Sequence, residues 1–279
     1  MAAVDWKAAI RYAQLVNIAY SVEPDAAYTA VQIAAIAQAG YTYIDALYGN
    51  ELATDFSPHL GETVTYGFLA ASSTGELVAV IRGTETIDEW LHDFSFLFVP
   101  NPIHAGGGLT EDGFTAIYRS LRAGADPNSP SAIAAITNLV GTTQVNYITV
   151  TGHSLGAAVA TLLALDVGLN SGIGSQNLSV YTYASPRVGE MFFHHTYSSV
   201  VPHTYRLYNR SDLVPQAPLF PYEHVDNDLE LVPPYNSVCA SLLCWHSLDT
   251  YLWLMDQASG GNTLAVDANC RGSAYPGPV

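Results

Sequence analysis

The sequence predicts an α/β fold, a mainly parallel central sheet flanked by helices. Three observations predict it. Runs of β type alternate with runs of helical period, the order that builds layered α/β domains. Hydrophobic residues make up 49% of the 279 and charged residues 12%, a balance that favours a large buried core over disorder. No internal repeat or low-complexity linker divides the chain, so a single domain over 1–279 is expected.

Trp6 to Tyr20 carries apolar residues at helical spacing (Trp6, Ala9, Ile10, Ala13, Val16, Ala19, Tyr20) and reads as an amphipathic helix. Ala30 to Ala39 reads as a second, stopped by Gly40. Thr63 to Ser72 and Glu76 to Arg82 are β-type runs joined through the turn signal Ser73-Thr74-Gly75. Thr86 to Phe94 has the pattern of a short helix, and Phe96 to Val99 is an apolar run closed by Pro100 and Pro102. Gly113 to Arg122 and Ser131 to Val140 read as helices on either side of a polar break at Asp126 to Pro130. Tyr147 to Thr151 is a short β-branched run, Gly152 to Gly156 a tight turn, and Ala157 to Val167 an Ala/Leu-rich helix. Leu178 to Ala184, Thr204 to Asn209 and the polar-edged Tyr222 to Val232 read as strands, and Leu248 to Met255 as a closing helix.

Charge and cysteine content bound the function classes. The net charge is −16 and Lys7 is the only lysine. A nucleic-acid binder needs clustered cations to replace phosphate counterions, and the arginines here are few and scattered. Attachment to an anionic membrane through a basic patch is disfavoured for the same reason. Cys239, Cys244 and Cys270 leave at least one thiol unpaired within the chain and permit one late bridge, whose ends the sequence does not choose. Met1 to Tyr20 carries Asp5, Lys7, Arg11 and Gln14 among its apolar residues, unlike the apolar core of a signal peptide. The expectation is a cytoplasmic protein or one whose leader was removed. Without a long uninterrupted apolar run, no transmembrane helix is expected.

The chemistry concentrates at Gly152-His153-Ser154-Leu155-Gly156, a G-x-S-x-G string between a strand and a helix. A strand entering such a turn, with a helix leaving it, places Ser154 in a strained conformation and favours glycine on both sides. The helix then aims its first N–H groups at any anion formed on a substrate. A serine hydroxyl is a poor nucleophile at neutral pH, so it needs a base within hydrogen-bond reach and a carboxylate to orient that base. His153, beside the nucleophile, is expected to point away. The order serine, acid, histidine leaves His194, His195, His203, His224 and His246 as candidate bases. His246 gains from its setting, read as a loop (Leu243-Cys244-Trp245-His246) just before the closing helix. His194 and His195 lack the spaced partners that would complete a metal site, and none is assigned. Asp212 follows a strand, where open α/β sheets place their chemistry, and reads equally as a turn residue paired with Arg210.

Five segments, in order, resemble the class 3 lipases, the fungal-type lipase family of the α/β-hydrolase superfamily. They are Ile81-Arg82-Gly83-Thr84 with Trp90-Leu91 and Asp93, Val150 to Gly156, Tyr183 to Gly189, Asn209 to Pro218, and His246-Ser247-Leu248 with Tyr251-Leu252. The resemblance implies an α/β-hydrolase fold with a lid over about 85–100. It implies Ser154 as nucleophile, Asp212 as acid and His246 as base, with an oxyanion hole from the backbone N–H groups of Thr84 and Leu155. Trp90, Leu91 and Phe94 would form the apolar side of the lid, and Val214 would line the acyl pocket. The implied activity is carboxylic ester hydrolysis, first of all as a triacylglycerol lipase. The alternatives are an esterase for soluble or phenolic esters and a phospholipase A1. No cofactor is implied; the partner is a lipid ester at an oil–water interface, with no stable membrane anchor. The family favours an extracellular setting. Three departures stand out: Ala157 replaces a second glycine, Glu111 stands where a histidine is usual, and Asn101 to Gly108 is longer and richer in glycine.

Overall fold

Residues 4–51, 62–84 and 96–277 are described by a computed structural model of the chain. The expected helix at Thr86 to Phe94, with the lid residues Trp90, Leu91 and Phe94, lies outside them. The strands are β1 (Tyr41–Asn50), β2 (Thr63–Ser72), β3 (Glu76–Ile81), β4 (Phe98–Pro100), β5 (Leu109–Glu111), β6 (Arg122–Ala123), β7 (Tyr147–His153), β8 (Leu178–Tyr183), β9 (Thr204–Asn209) and β10 (Asp228–Leu231). Eight of them form one sheet in the order β10-β9-β8-β7-β3-β2-β1-β6. From β3 to β10 the pairing is parallel, and β2, β1 and β6 extend the sheet antiparallel. β4 and β5 make a separate hairpin.

Alternation along the strands sorts side chains to the two faces. Leu77, Ala79, Ile81, Ile148 and Val150 belong to one apolar layer, whereas Val78, Val80, Phe68, Tyr181 and Tyr183 belong to the other. Both faces of the parallel strands are therefore buried, as crossover helices on either side require. The first layer is closed by α3 (Asp112–Ser120), α4 (Ala132–Thr142), α5 (Leu155–Asn170) and α6 (Met191–Val200). The second is closed by α1 (Trp6–Tyr20), α2 (Ala30–Gln38), the short α7 (Leu242–His246) and α8 (Leu248–Ala258). Every residue of α5 from Leu155 to Val167 is buried, so its Ala/Leu composition reflects a helix enclosed on all sides.

Three differences from the sequence reading have physical causes. β1 escaped it because two register irregularities, between Tyr43 and Asp45 and between Leu47 and Tyr48, break the alternation. The strand expected over Tyr222 to Val232 is confined to Asp228–Leu231, where it pairs with β9. The stretch Leu243 to His246 is a turn of helix rather than a loop, capped by Ser241 through the Cys244 amide. The late bridge joins Cys244 to Cys270 and leaves Cys239 free.

Candidate active site

The site sits at the carboxyl ends of β3, β7 and β9. Ser154 follows β7 and opens α5 with φ 58° and ψ −130°, a left-handed backbone that costs about 1–3 kcal/mol for a residue with a side chain. The strain is held by a hydrogen bond from the Ser154 amide to the Tyr183 carbonyl at 2.9 Å. The flanking glycines are needed for close approach. A Cβ at Gly156 would run into the Arg82 carbonyl, and one at Gly152 into the carbonyl of Gly156. These contacts press the end of β3 against the turn. A Cβ at Gly83 would meet the Ser154 Cβ at 2.9 Å, which seats the Gly83-Thr84 segment beside the serine. At the other side, Leu155 is the first residue of α5, where helical N–H groups have no intrahelical acceptor.

Asp212 and His246 converge on Ser154 from distant parts of the chain. The His246 Nδ1–H donates to Asp212 Oδ2 at 2.8 Å, and its Nε2 lies 2.8 Å from Ser154 Oγ. With Nδ1–H directed to the carboxylate, Nε2 is left to accept the serine proton. All three residues are buried. Asp212 is further held by the Tyr251 hydroxyl, which donates to Oδ2 at 2.8 Å, and by the Val214 amide, which donates to Oδ1 at 3.0 Å. Burial and the neighbouring Asp212 raise the Tyr251 phenol well above its ordinary range, so it remains a donor. Arg210, the alternative partner for Asp212, instead forms a two-pronged pair with Glu230. Val214 is fully buried within the core.

A second line of hydrogen bonds runs beneath the histidine. His153 packs its ring against that of His246, centroids 4.7 Å apart, with Nε2 2.9 Å from the His246 carbonyl and Nδ1 2.8 Å from the Tyr20 hydroxyl. Burial, reinforced by His246, pushes the His153 imidazole well below its usual range and keeps it neutral. A carbonyl only accepts, so Nε2 carries the proton and Nδ1 accepts from Tyr20. The Tyr20 oxygen in turn accepts the Gly83 amide at 2.9 Å. The end of α1 thus ties the segment before Thr84 to the backbone of His246.

Two of the other candidate histidines are engaged elsewhere. His194 faces Glu223 and Asp226, and His224 donates to the Pro215 carbonyl at 2.7 Å. Burial, with Arg206 and Arg187 adding repulsion, lowers His224 to about 3. Glu111, the departure from the usual histidine, is buried and caps α3 by accepting the Phe114 amide at 2.8 Å. Sequence reasoning assigned no role to Tyr20, Tyr251 or Asn209. Asn209 orders the loop before the acid, donating to the Trp245 carbonyl at 2.8 Å and accepting the Ser211 amide. Tyr251 stood within a quoted segment, five positions after His246, but only the fold brings its hydroxyl to Asp212.

A buried serine, histidine and aspartate at the carboxyl edge of a doubly covered, mainly parallel sheet define the α/β-hydrolase architecture. Residues 78–222 match the family Lipase (class 3), and the chain belongs to that family. Among curated relatives it is 30% identical over 202 residues to "Phospholipase A1-II 1" of Oryza sativa subsp. indica, covering 67% of this chain and 51% of that protein. It is 31% identical over 182 residues to "Secreted mono- and diacylglycerol lipase A" of Penicillium camembertii, covering 64% of this chain and 56% of that one. The chain thus spans about half the length of the curated relatives it matches. The fold resembles that of a Rhizomucor miehei lipase propeptide complex, with a TM-score of 0.66 and 24% identity over 84% of this chain and 69% of that one. It also resembles a lipase from Rhizopus microsporus var. chinensis, with a TM-score of 0.64 and 24% identity over 83% of this chain and 75% of that one.

Proposed function

We propose that the chain, acting as one domain, hydrolyses carboxylic esters of acylglycerols through an acyl-enzyme on Ser154. The observation that carries the reading is the unbroken run of hydrogen bonds from Ser154 Oγ through His246 to Asp212, on a serine strained at a strand-to-helix turn. As Oγ attacks the ester carbonyl, His246 Nε2 takes its proton. Negative charge gathers on the carbonyl oxygen, facing the backbone N–H groups of Thr84 and Leu155. Each fixed donor of this kind contributes about 10²–10³ in rate. His246 then protonates the leaving alcohol, and water activated by the same ring releases the acid. Asp212 holds the tautomer and offsets the imidazolium charge. In this reading Val214 lines the acyl side, and Trp90, Leu91 and Phe94 form the apolar face of a lid.

The first test is labelling with a fluorophosphonate probe. The wild-type chain reacts and Ser154→Ala does not; equal labelling of both sinks the assignment of the nucleophile. p-Nitrophenyl esters of rising chain length, measured below and above their solubility limits, then separate lipase from esterase. A jump in rate on droplets supports the lipase reading, and a preference for short soluble esters with no jump overturns it. The likeness to a rice phospholipase A1 keeps phospholipid esters in the comparison.

A further inference from the structure

Three cysteines meet beside α7. Cys244 and Cys270 are bridged, and Cys239 keeps its thiol. Residues 237–239 and 270–272 run antiparallel, with Val238 opposite Arg271. The Gly272 amide donates to the Ser237 carbonyl at 3.0 Å and the Cys239 amide to the Cys270 carbonyl at 2.8 Å. In that register Cys239 stands directly across from Cys270. Residues so opposed have α-carbons about 4.5–5.5 Å apart and side chains on one face. A disulfide takes α-carbons roughly 4.4–6.8 Å apart, so the backbone spacing for a Cys239–Cys270 bond is already in place. The Cys239 Sγ donates to the Arg271 carbonyl at 3.1 Å, which keeps the thiol over the peptide next to Cys270.

We propose that Cys239 drives an internal disulfide exchange that unfastens the helix carrying His246. The Cys239 thiol gives its proton to solvent, and the thiolate attacks the Cys270 sulfur. The Cys239–Cys270 bond forms as the Cys244–Cys270 bond breaks, and Cys244 leaves as a thiolate that takes a proton back. One bridge and one thiol exist before and after, so no oxidant or reductant enters. Attack falls on Cys270 because it is half-buried, whereas Cys244 is buried in the core.

The two possible closed loops differ by five residues in length, so chain entropy hardly discriminates between them. Packing does. Cys244 belongs to the core layer under α1 and α8, and this holds the present pairing while α7 stays docked. Movement of α7 away from that layer tips the balance. Cys244 lies two positions before His246 on the same short helix. After exchange, α7 keeps the Asn209 side chain on the Trp245 carbonyl and the Thr250 hydroxyl on the Cys244 carbonyl, but loses its covalent tie to the distal segment. The base is then held by noncovalent contacts alone, and turnover falls. That effect on turnover rests on the hydrolase reading of His246; the exchange itself does not.

The test uses the full chain, with N-ethylmaleimide to block free thiols, peptide mass spectrometry to map the bridge, and p-nitrophenyl butyrate as a soluble substrate. Wild type and Cys239→Ser should begin with equal turnover; its absence in both removes the hydrolase reading and leaves the mapping to decide the exchange. Held just below the Tm, wild type should move the maleimide label from Cys239 to Cys244 in step with its loss of activity. Cys239→Ser keeps the bridge but has no attacking thiol, and it should lose activity about threefold more slowly or better. Label that stays on Cys239 in inactivated wild type overturns the inference, as do equal rates of loss in the two proteins. Cys244→Ser, produced in oxidising medium, gives an independent reading. No free thiol is expected, because Cys239 and Cys270 close on each other; a variant with both thiols free overturns the proposal.

Discussion

The Tyr251 hydroxyl donates a hydrogen bond to the same Asp212 oxygen that accepts the His246 ring N–H, and its own oxygen accepts the Asn209 amide at 2.9 Å. Tyr251→Phe strips both bonds without changing the ring. A buried N–H left without an acceptor costs about 1–3 kcal/mol, so thermal denaturation should show a lower Tm. With the carboxylate held by one fewer donor, kcat on a soluble ester should fall about tenfold; an unchanged kcat removes Tyr251 from the positioning of the acid. Glu111 provides a pH-dependent term. Burial pushes its carboxyl up to about 7 against an ordinary 4.5, although the amides of Phe114 and Gly113 pull the other way. Between these two values the folded chain keeps a proton that the unfolded chain has released. The contribution of Glu111 to stability is therefore fullest below about pH 4.5, declines as pH rises to about 7, and is level beyond. Glu111→Gln keeps an oxygen for the α3 cap and removes the titration. Its Tm should fall less between pH 5 and 7 than that of the wild type, by the equivalent of up to about 3 kcal/mol. Parallel Tm curves for the two proteins would show that Glu111 is not the group responsible.

At the scale of elements, α7 is the weak link in the site. It is a single turn, too short to hold itself, and it delivers His246. The Cys244–Cys270 bridge, two residues before His246, fastens it to the distal segment, as does the Cys239 amide bonded to the Cys270 carbonyl. Closing a loop of 26 residues contributes about 3–4 kcal/mol in the chain-entropy account. Cys270→Ser should lower Tm and bring inactivation on heating to a lower temperature; unaltered heat inactivation would mean that α7 is held by packing alone. The same elements show what could be read from sequence. The α1 stripe was legible because it repeats one period over enough residues, the runs of β2 and β3 because a turn signal separates them, and the β7-turn-α5 unit through its G-x-S-x-G string between a β-branched run and an Ala/Leu-rich one. α7 was not, since one turn has no period. α6 was not either, because its Phe-, His- and Tyr-rich stretch Met191–Val200 lacks a clear apolar stripe. Within the site, Ser154, Asp212 and His246 were found by motif, order and resemblance. Tyr20 and Tyr251 were invisible because their importance comes only from partners 133 and 39 positions away.

Across the whole molecule the dominant electrostatic fact is a net charge of −16. Such a surface repels anionic lipid and is indifferent to neutral lipid. At low salt the chain should bind phosphatidylcholine vesicles more tightly than phosphatidylglycerol vesicles. The difference should shrink at about 1 M salt, where screening acts within roughly 3 Å. Tighter binding to the anionic vesicles at low salt would contradict this account.

The packing of α1 against α8 bears on how the chain is made. A ribosome releases α1 early and α8 only after most of the remaining sequence, an interval on the order of 10–50 s at ordinary elongation rates. Throughout that time the apolar stripe of α1 lacks the cover that α8 will give it, and the nascent polypeptide offers it to whatever else is nearby. Truncation within α8 would make that exposure permanent, producing a chain that chaperones retain and proteases clear.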